Sequence, residues 1–254
     1  RTASRTAPLV KLGATATATP AEAARNRAVV FTMLADPAAV EAAALGPDGF
    51  LPAMARGALW VDCSTVDPAF SRRMSQEASA RGIRFMDAPV AGSLPVAEKG
   101  ELSFFVGGDA KDLEECRPLL SAMGKTIRNM GGTGAGTSIK LVINMLLADS
   151  MAAFSEALTL GQALGFQKSA LLDTLIGGAV TAPFLAGKRE KLTSGSFDAE
   201  FPLRLMLKDL GLVSTTANAL GVTLPVAKAV KDLYAKAAKD GLAESDFSSI
   251  GGGP

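Results

Sequence analysis

The chain has 254 residues, of which 48% are hydrophobic, so it is long enough for one large or two ordinary domains that each bury a core. Its 26 basic and 25 acidic residues leave a net charge of +1, and no basic block alternates with aromatic residues, which argues against a nucleic-acid partner. The sequence contains no histidine, which excludes Ser-His-Asp and Cys-His nucleophile systems and the usual histidine metal sites.

The absence of histidine leaves lysines and carboxylates as the proton carriers. The single tyrosine, Tyr234, is followed four positions later by Ala238, so a Tyr-x-x-x-Lys pair is missing too. The two cysteines, Cys63 and Cys116, are too few for a four-ligand zinc site and are expected to be buried, so no metal site is predicted. The most apolar segment, residues 141–148, falls far short of the ~20 residues that a membrane span needs, so no membrane contact is expected.

The first half of the sequence alternates predicted helices and strands. In chain order, RTASRTAPLVKLG reads as a helix that ends at Gly13, and PAEAARN follows Thr19 as a second helix. Further helices are predicted from DPAAVEAAAL, DPAFSRRMSQEASARG and residues 109–123. Runs of β-branched and aromatic residues predict strands over residues 28–34, 58–65, 83–90 and 102–108. This alternation predicts an α/β fold with a doubly wound, mostly parallel sheet.

After Gly136 the pattern is helical only. Glycine or proline marks the joins between the predicted helices, which cover residues 137–165, 168–179, 182–193, 202–221 and 225–241. We therefore predict an α/β domain over residues 1–134 and an all-helical domain over residues 135–254. The closing SSIGGGP reads as a loose tail.

A parallel α/β domain binds its ligands at the carboxyl ends of its strands, and such a sheet is expected to begin with a strand, a Gly-rich turn and a helix. The opening residues contain no G-x-G-x-x-G that leads into a helix. GGTGAG, residues 131–136, comes late, and the helix that it opens belongs to the all-helical half. We therefore expect that a first βαβ element is missing from this sequence.

Two polar residues interrupt the predicted long helix in GAGTSIKLVINML, residues 134–146. Lys140 and Asn144 are four positions apart, so they share one face of the helix. Each alone has an ordinary explanation: a lysine whose stem packs while its amine reaches water, and a buried amide with satisfied hydrogen bonds. Together, beside Gly134 and Gly136 at a domain junction, they predict a ligand site, because ligands often bind between domains.

The predicted position of Lys140 also favours proton transfer. In the first turn of a helix the positive end of the macrodipole lowers the pKa of an amine, and partial burial lowers it further from ~10.4. Such a lysine serves acid/base chemistry near neutral pH. Its protonated form gives a proton to the alkoxide that forms in carbonyl reduction, whereas alcohol oxidation needs the neutral amine. Reduction is therefore favoured at neutral pH.

Several segments, in order along the chain, carry a family resemblance. GAGTSIKLVINML resembles the catalytic-lysine motif of the β-hydroxyacid dehydrogenases, the 3-hydroxyisobutyrate dehydrogenase-like enzymes. APVAGSLPVAEKGEL (residues 88–102), FPLRLMLKD (201–209) and ESDFSSI (244–250) resemble the glyoxylate/succinic semialdehyde reductases of that family. The resemblance implies a Rossmann-like NADP-binding domain, truncated at its amino terminus, and a helical domain for substrate binding and dimerisation.

The resemblance also implies a role for each matching residue. Lys140 would be the general acid/base, and Asn144 would orient the substrate. Thr65, at the end of a predicted strand, would meet the nicotinamide and the substrate, although a helix-capping hydroxyl explains it as well. NADPH is the expected cofactor, with NAD as the alternative. The other implied cofactor contacts are Arg1, Thr2 and Arg5 at the 2′-phosphate, and Met33, Leu34 and Lys208; the other substrate contacts are Ala91, Gly92, Ser93, Phe201 and Asp209.

The substrate loop departs from the family pattern. The family usually reads P-V-S-G, with a serine hydroxyl on the substrate carboxylate, and here Pro89 and Val90 are followed by Ala91 and Gly92. Carboxylate binding would then fall to backbone N–H groups around Gly92 and Ser93, or to the Ser93 hydroxyl. The identity of the acid, and whether the substrate is an acid at all, stays open.

The leading hypothesis is an NADPH-dependent reductase of a small aldehyde acid, of the glyoxylate or succinic semialdehyde type. The first alternative, motivated by Ala91, is a family member that acts on another carbonyl or hydroxy acid, such as 3-hydroxyisobutyrate. The second is a non-catalytic binding module of the same fold. The resemblance further implies a homodimer or homotetramer. A cytoplasmic location is expected, with organellar targeting left open.

Overall fold

The computed structural model describes residues 2–252, and three parallel strands lie in its first half. They are β1 (Val29–Thr32), β2 (Leu59–Asp62) and β3 (Arg84–Asp87), with Val29 opposite Leu59 and Asp62 opposite Asp87. All of β2 is buried, and its first three residues are apolar without alternation, as expected for a strand that is covered on both faces. The predicted parallel sheet is confirmed for these strands.

The other strands make the sheet a mixed one. β4 (Val90–Ala91) pairs antiparallel with β5 (Leu102–Gly107), and the last residue of β5 pairs antiparallel with Asp87 of β3. β6 (Gly124–Gly131) also pairs with β5, so the strand order is β1-β2-β3-β5-β4 with β6 beside β5. A short strand and a five-residue helix fill the link between β3 and β5, which leaves no long crossover helix to return β5 parallel.

A cap residue followed by proline starts three of the helices in the first half. Asp36, Asp67 and Thr19 each accept a hydrogen bond from the backbone N–H three residues later, at 2.7, 2.8 and 3.2 Å. These caps confirm the predicted helix starts. The helices are α1 (Ala7–Lys11), α2 (Pro20–Ala24), α3 (Pro37–Leu45), α4 (Pro68–Ser79), α5 (Leu94–Glu98) and α6 (Ala110–Ser121).

The second half is helical, as predicted. It opens with the 29-residue α7 (Ala135–Ala163). Short 3₁₀ segments cover Pro183–Lys188 and Phe247–Gly251, and a π turn covers Ala238–Leu242. The other helices are α8 (Lys168–Leu175), α9 (Arg189–Ser194), α10 (Leu203–Ala219) and α11 (Pro225–Ala237).

The chain divides into two compact units. The first consists of Arg1–Pro89, Phe105–Pro118 and Arg128–Thr137. Its core surrounds the buried Trp60, whose ring meets those of Phe50 and Phe85 edge-on at centroid distances of 5.0 and 4.9 Å. Cys63 and Cys116 are buried free thiols, and burial raises the pKa of both.

The second unit consists of Val90–Phe104, Leu119–Ile127 and Ser138–Pro254. Its core is formed by α7 and the later helices around the buried side chains of Met151, Met206 and Tyr234. Two segments from the predicted α/β domain, residues 90–104 and 119–127, therefore group with the helical unit.

α7 is apolar over most of its length. An 18-residue window of it has a mean hydropathy of 1.4, and 39% of that window is buried. Within residues 2–252 it is the one helix long and apolar enough to cross a membrane by length and composition alone. A core helix meets the same criterion, so a single helix of this kind is weak evidence for a membrane span. The apolar segment identified in the sequence, residues 141–148, is shorter than the apolar part of α7, because apolar residues resume after Asp149.

Some predicted elements differ from those observed. No strand pattern predicts β6, because GKTIRNMG mixes charged and polar residues that suit a partly exposed strand. The strand predicted over residues 83–90 is two strands, since Pro89 lacks the N–H that a ladder needs. α8 ends before Gly177, and the helices predicted over residues 1–13 and 182–193 are each split into a 3₁₀ and an α segment.

The C-terminal segment is a further correction, because it is packed and not a loose tail. Phe247–Gly251 forms a 3₁₀ helix, and Ser248 and Ser249 are buried. Asp246 Oδ1 accepts hydrogen bonds from the Ser248 backbone N–H and hydroxyl at 3.2 and 2.7 Å. The Lys188 ammonium lies 3.1 Å from the same carboxylate. A buried ion pair thus holds a segment whose composition alone suggests flexibility.

Candidate active site

Lys140 and Asn144 lie one turn apart on α7 and contact each other, as their spacing predicts. Lys140 Nζ donates a hydrogen bond to Asn144 Oδ1 at 2.8 Å. Asn144 is buried, and Lys140 is half-buried. The amide therefore occupies one of the three ammonium hydrogens and leaves two that can face another acceptor.

α10 brings a carboxylate and a second ammonium to this pair, within the second unit. Asn144 Nδ2 donates to Asp209 Oδ2 at 2.6 Å, and Lys208 Nζ lies 2.8 Å from Asp209 Oδ1. The contacts run in order from Lys140 through Asn144 and Asp209 to Lys208. The sequence pointed to all four residues but not to this order of contact.

Burial dominates the electrostatics of the cluster. It lowers the pKa of Lys140 to about 8; the Asp209 carboxylate opposes this shift, and the Lys208 ammonium adds to it. Burial also raises the pKa of Asp209, against the effect of Lys208 and of the hydrogen bond from Asn144. Lys140 is then mostly protonated at neutral pH and close enough to its pKa to release the proton.

The start of α7 affects Lys140 less than the sequence implies. α7 begins at Ala135, so Lys140 is in its second turn and not its first. A carboxylate also lies at the helix start: Asp87 Oδ1 accepts the N–H of Gly134 at 2.6 Å, and Oδ2 accepts the N–H of Thr137 at 2.7 Å. This negative charge opposes the positive end of the macrodipole. Burial is therefore the main cause of the lowered pKa of Lys140.

The glycines before Lys140 serve backbone packing in the first unit. A Cβ on Gly136 would lie 2.2 Å from the Phe105 carbonyl oxygen, and one on Gly107 would lie 2.8 Å from the Gly136 nitrogen. Asp87 also lies next to both glycines at this close contact. The sequence analysis does not identify it as a site residue. In the sequence, Asp87 could have been noticed as a single carboxylate at the end of the predicted strand, in MDAPV.

A hydrogen-bond network shapes the carboxyl ends of β1 and β2. The buried Asp62 accepts from Thr32 Oγ1 at 2.8 Å and from the Ser64 N–H at 3.1 Å, and Trp60 Nε1 donates to Thr32 Oγ1 at 2.8 Å. The Leu34 N–H donates to Ser64 Oγ at 2.9 Å. Burial raises the pKa of Asp62 to about 6, despite these donors. The network ties the two strand ends together.

Three of the predicted cofactor residues lie at these strand ends in the first unit. Met33 is 62% exposed and Leu34 is 37% exposed, just after β1, and Thr65 is half-buried, just after β2. Exposed apolar side chains at the carboxyl edge of a parallel sheet suit the flat rings of a dinucleotide, which binds at that edge. The residues present therefore fit the nicotinamide-bearing end of such a cofactor.

Ala91, Gly92 and Ser93 lead from β4 into α5 in the second unit. Gly92 has a φ of +120°, and a Cβ there would lie 2.8 Å from the Val96 side chain, so this turn needs glycine. Ser93 is the residue before α5, and its side chain makes no cap hydrogen bond to that helix. The loop therefore carries its hydroxyl at Ser93 and not at residue 91.

The remaining predicted residues fall in three places. Phe201 is half-buried in the second unit, with its ring centroid 5.7 Å from that of Phe247. Thr2 and Arg5 are exposed in the first unit, and the Arg5 N–H donates to the Thr2 carbonyl at 3.0 Å. Arg1 lies outside the described residues.

Family models match both halves of the chain. The model described as "NAD binding domain of 6-phosphogluconate dehydrogenase" matches residues 1–132, and that described as "NAD-binding of NADP-dependent 3-hydroxyisobutyrate dehydrogenase" matches residues 134–251. The chain belongs to the β-hydroxyacid dehydrogenase family. This β-hydroxyacid dehydrogenase is thus an NAD(P)-dependent oxidoreductase of hydroxyl or carbonyl groups.

The similar proteins include a reductase and dehydrogenases. The chain is 36% identical to glyoxylate/succinic semialdehyde reductase 2, chloroplastic, of Arabidopsis thaliana, over 98% of this chain and 70% of that protein. It is 37% identical to the NAD-dependent L-serine dehydrogenase of Pseudomonas aeruginosa, over 95% of this chain and 84% of that protein. The solved structure of Mycobacterium tuberculosis 3-hydroxyisobutyrate dehydrogenase with L-serine matches with a TM-score of 0.82 and 32% identity, over 92% of this chain and 82% of that one. The predicted family and fold are confirmed.

Proposed function

We propose that this β-hydroxyacid dehydrogenase is an NADPH-dependent reductase of a small aldehyde acid, of the glyoxylate or succinic semialdehyde type. One observation carries the proposal: the half-buried Lys140 ammonium contacts Asn144 in a cluster where its pKa is about 8. Such an amine is mostly charged at pH 7 and is a stronger acid than an ordinary lysine, as protonation of a forming alkoxide requires. The relative named as a glyoxylate/succinic semialdehyde reductase supports the substrate class.

The residues of the cluster divide the chemistry between them. Bound NADPH supplies the hydride that reduces the carbonyl carbon. Lys140 donates a proton from Nζ to the carbonyl oxygen as negative charge develops there, and becomes a neutral amine. Asn144 holds one Nζ hydrogen through Oδ1, which orients the other two toward the substrate. The product is a hydroxy acid, and Lys140 regains a proton from water before the next turnover.

The preference for NADPH over NADH is proposed from the first residues of the chain. Arg5 is exposed, and a guanidinium is always charged and offers paired N–H donors to a phosphate dianion. An NAD enzyme has a carboxylate at the corresponding place instead. Thr2 lies beside Arg5 and would add a hydroxyl donor to the same phosphate. The matched family model of an NADP-dependent enzyme also supports this preference.

A second candidate function is the oxidation of a β-hydroxy acid of the L-serine or 3-hydroxyisobutyrate type. The relative named as an L-serine dehydrogenase and the similar structure with L-serine favour it. Ala91, which offers no hydroxyl to a substrate carboxylate, also separates this chain from the family pattern. Oxidation uses the neutral form of Lys140, whose fraction grows as the pH rises through about 8.

Initial rates with both substrate classes test these functions. The chain, and the same chain with a Gly-rich βαβ element joined to its amino terminus, are assayed with glyoxylate and succinic semialdehyde plus NADPH or NADH. L-serine and 3-hydroxyisobutyrate are assayed with NADP⁺ or NAD⁺. We expect faster turnover for the aldehyde acids with NADPH at pH 7. Faster oxidation of a hydroxy acid at that pH would favour the second candidate, and no reduction of either aldehyde acid would overturn the first.

Substitution of Lys140, with substitution of an exposed lysine as the matched control, tests the mechanism. Lys140→Met is expected to lower kcat by about 100-fold or more, with the Kd of NADPH nearly unchanged. Lys239→Met changes an exposed lysine after α11 and should keep wild-type rates. Wild-type turnover in Lys140→Met would rule out the lysine as the acid and would support a non-essential role for this cluster.

We also propose that the enzyme is a homodimer or homotetramer that uses one face of α7. Val142, Leu146 and Leu160 on one side of α7, and Leu164 directly after its last residue, are 53% to 69% exposed. Large exposed apolar side chains that share one side of a helix often mark a protein contact. Sedimentation equilibrium should show an oligomer that Leu146→Glu dissociates and that Leu220→Glu, at the end of α10, leaves intact. A monomeric wild-type protein would contradict this proposal.

A further inference from the structure

The carboxylate of Asp209, on α10, lies against the Asn144 amide. It is 1% exposed; its Oδ2 accepts a hydrogen bond from Asn144 Nδ2 at 2.6 Å, and its Oδ1 lies 2.8 Å from Lys208 Nζ in an ion pair without hydrogen-bond geometry. We propose that Asp209 is a positioning residue: it holds the Asn144 amide with its oxygen toward Lys140 and thereby keeps that lysine oriented and charged. This inference deepens the proposed function and rests on it.

The geometry depends on the two different ends of an amide. A carboxylate only accepts hydrogen bonds and an ammonium only donates them. With Asp209 on one side and Lys140 on the other, Asn144 has one favourable orientation, its NH₂ toward Asp209 and its oxygen toward Lys140. The reversed amide would set donor against donor at Lys140 and acceptor against acceptor at Asp209. The charge of Asp209 therefore decides which end of Asn144 meets the catalytic amine.

The same carboxylate offsets the burial of Lys140. Burial lowers the pKa of Lys140, and the charge of Asp209 is the opposing influence. Lys208 lies beside Asp209 and opposes the rise in the pKa of that carboxyl that burial causes, and its own positive charge lowers the pKa of Lys140. The charged groups that act on Lys140 in the described part of the chain are these two residues of α10. Asp209 is thus the negative charge that retains a proton on Lys140.

The sign of the expected effect follows from the reaction. Reduction needs protonated Lys140, so kcat/KM for reduction is high below the pKa of Lys140 and falls as the pH rises through it. Asp209→Asn removes the opposing charge, so the pKa of Lys140 falls and the decline in rate starts at a lower pH. Asp209→Glu keeps the charge and should keep the midpoint near that of the wild type.

The experiment measures the pH dependence in two ways. Rates of NADPH-dependent reduction from pH 5.5 to 10 give the first midpoint, the pH at which kcat/KM has fallen by half. The rate at which acetic anhydride acylates Lys140, read by mass spectrometry against the other lysines, gives a second midpoint that needs no turnover. We expect Asp209→Asn to move both midpoints down by about one pH unit and to lower kcat about tenfold or more. Asp232→Asn, an exposed carboxylate on α11, should move neither.

Each outcome bears on the inference separately from the proposed function. Unchanged midpoints in Asp209→Asn, or a shift of the same size in Asp209→Glu, would overturn the positioning role. If Asp209→Asn does not fold, Asp209→Ser carries the same prediction as a smaller neutral variant. Should the wild type reduce no aldehyde acid, the proposed function fails. The acylation midpoints still decide whether Asp209 keeps Lys140 charged.

Discussion

The carboxylate of Asp87, at the end of β3, accepts two hydrogen bonds from Thr137, one from the backbone N–H at 2.7 Å and one from the hydroxyl at 3.0 Å. Thr137 lies in the first turn of α7, so a strand residue caps this helix from another part of the chain. The Ser71 hydroxyl on α4 lies 2.9 Å from the Thr137 hydroxyl. The start of the helix that carries Lys140 is therefore fixed by buried polar contacts within the first unit.

Gly136→Ala should destabilise the fold, because the start of α7 leaves no room for a methyl group. The new Cβ would lie 2.2 Å from the Phe105 carbonyl oxygen and 3.0 Å from that of Asp87. We expect a loss of about 2 to 4 kcal/mol in the free energy of unfolding, measured by urea denaturation. Gly132→Ala is the matched control, because nothing lies within 4 Å of a Cβ there. Equal stability of the two variants would contradict the close contact.

The fold should become less stable as the pH rises from about 4 to 7 because of Asp62. The folded pKa of about 6 exceeds the ordinary value of 3.8. The folded state therefore binds more protons than the unfolded state in this window, and stability falls as the pH rises. The shift corresponds to roughly 3 kcal/mol.

Asp62→Asn cannot titrate, so it tests this pH dependence directly. Relative to the wild type, its free energy of unfolding should increase between about pH 4 and 7, whatever the difference between the two proteins is at lower pH. Asp48→Asn, at an exposed carboxylate, should show a constant difference from the wild type. Parallel unfolding profiles for wild type and Asp62→Asn would refute the assignment of the titration to Asp62.

The sequence predicts the local part of this site and misses the long-range part. Helical spacing is enough to place Lys140 beside Asn144. Helical spacing does not bring Asp209, 65 residues away, to Asn144, or Asp87, 50 residues away, to Thr137, because those contacts depend on how strands and helices pack. The C-terminal segment shows the same limit. Its composition reads as a loose tail, but Asp246 is held by Lys188, which is 58 residues away.

Lys188→Met should strongly destabilise the second unit at neutral pH. Lys188 is 6% exposed, and its Nζ lies 2.9 Å from Glu200 and 3.1 Å from Asp246. Without it, the buried carboxylate of Asp246 loses its counter-ion, for which we expect a loss of about 3 to 5 kcal/mol in the free energy of unfolding. Lys228→Met, at an exposed pair on α11, should change it by less than about 1 kcal/mol.

The loss caused by Lys188→Met should also depend on pH. Burial raises the pKa of Asp246, but the Ser248 hydrogen bond and the charge of Lys188 outweigh it and hold the pKa below 3.8. Stability from a lowered carboxylate pKa is present above the ordinary value and is lost as the pH falls through the folded value. The deficit of the variant should therefore shrink as the pH falls below the ordinary value of 3.8, and a deficit that does not shrink on acidification would show that Asp246 is not the partner.

Ala91→Ser tests how the enzyme holds a substrate carboxylate. The substitution restores a hydroxyl at the position where the family pattern has one. One additional hydrogen bond to a carboxylate contributes about 1.5 kcal/mol, so the KM of an aldehyde acid should fall about tenfold. The value of kcat should change little, because a hydroxyl bound to the carboxylate, which does not itself react, stabilises ground state and transition state alike.

The same substitution separates acid from neutral substrates. An aldehyde without a carboxylate gives the hydroxyl of Ala91→Ser no charged partner, so its KM should stay at the wild-type value. Ala97→Ser, on the exposed side of α5, adds the same hydroxyl away from β4 and should change neither KM. If Ala91→Ser leaves the KM of the acid unchanged, the Ser93 hydroxyl or the backbone N–H groups already supply the anchoring. Ala91 would then give no reason to prefer a hydroxy acid substrate over the aldehyde acids.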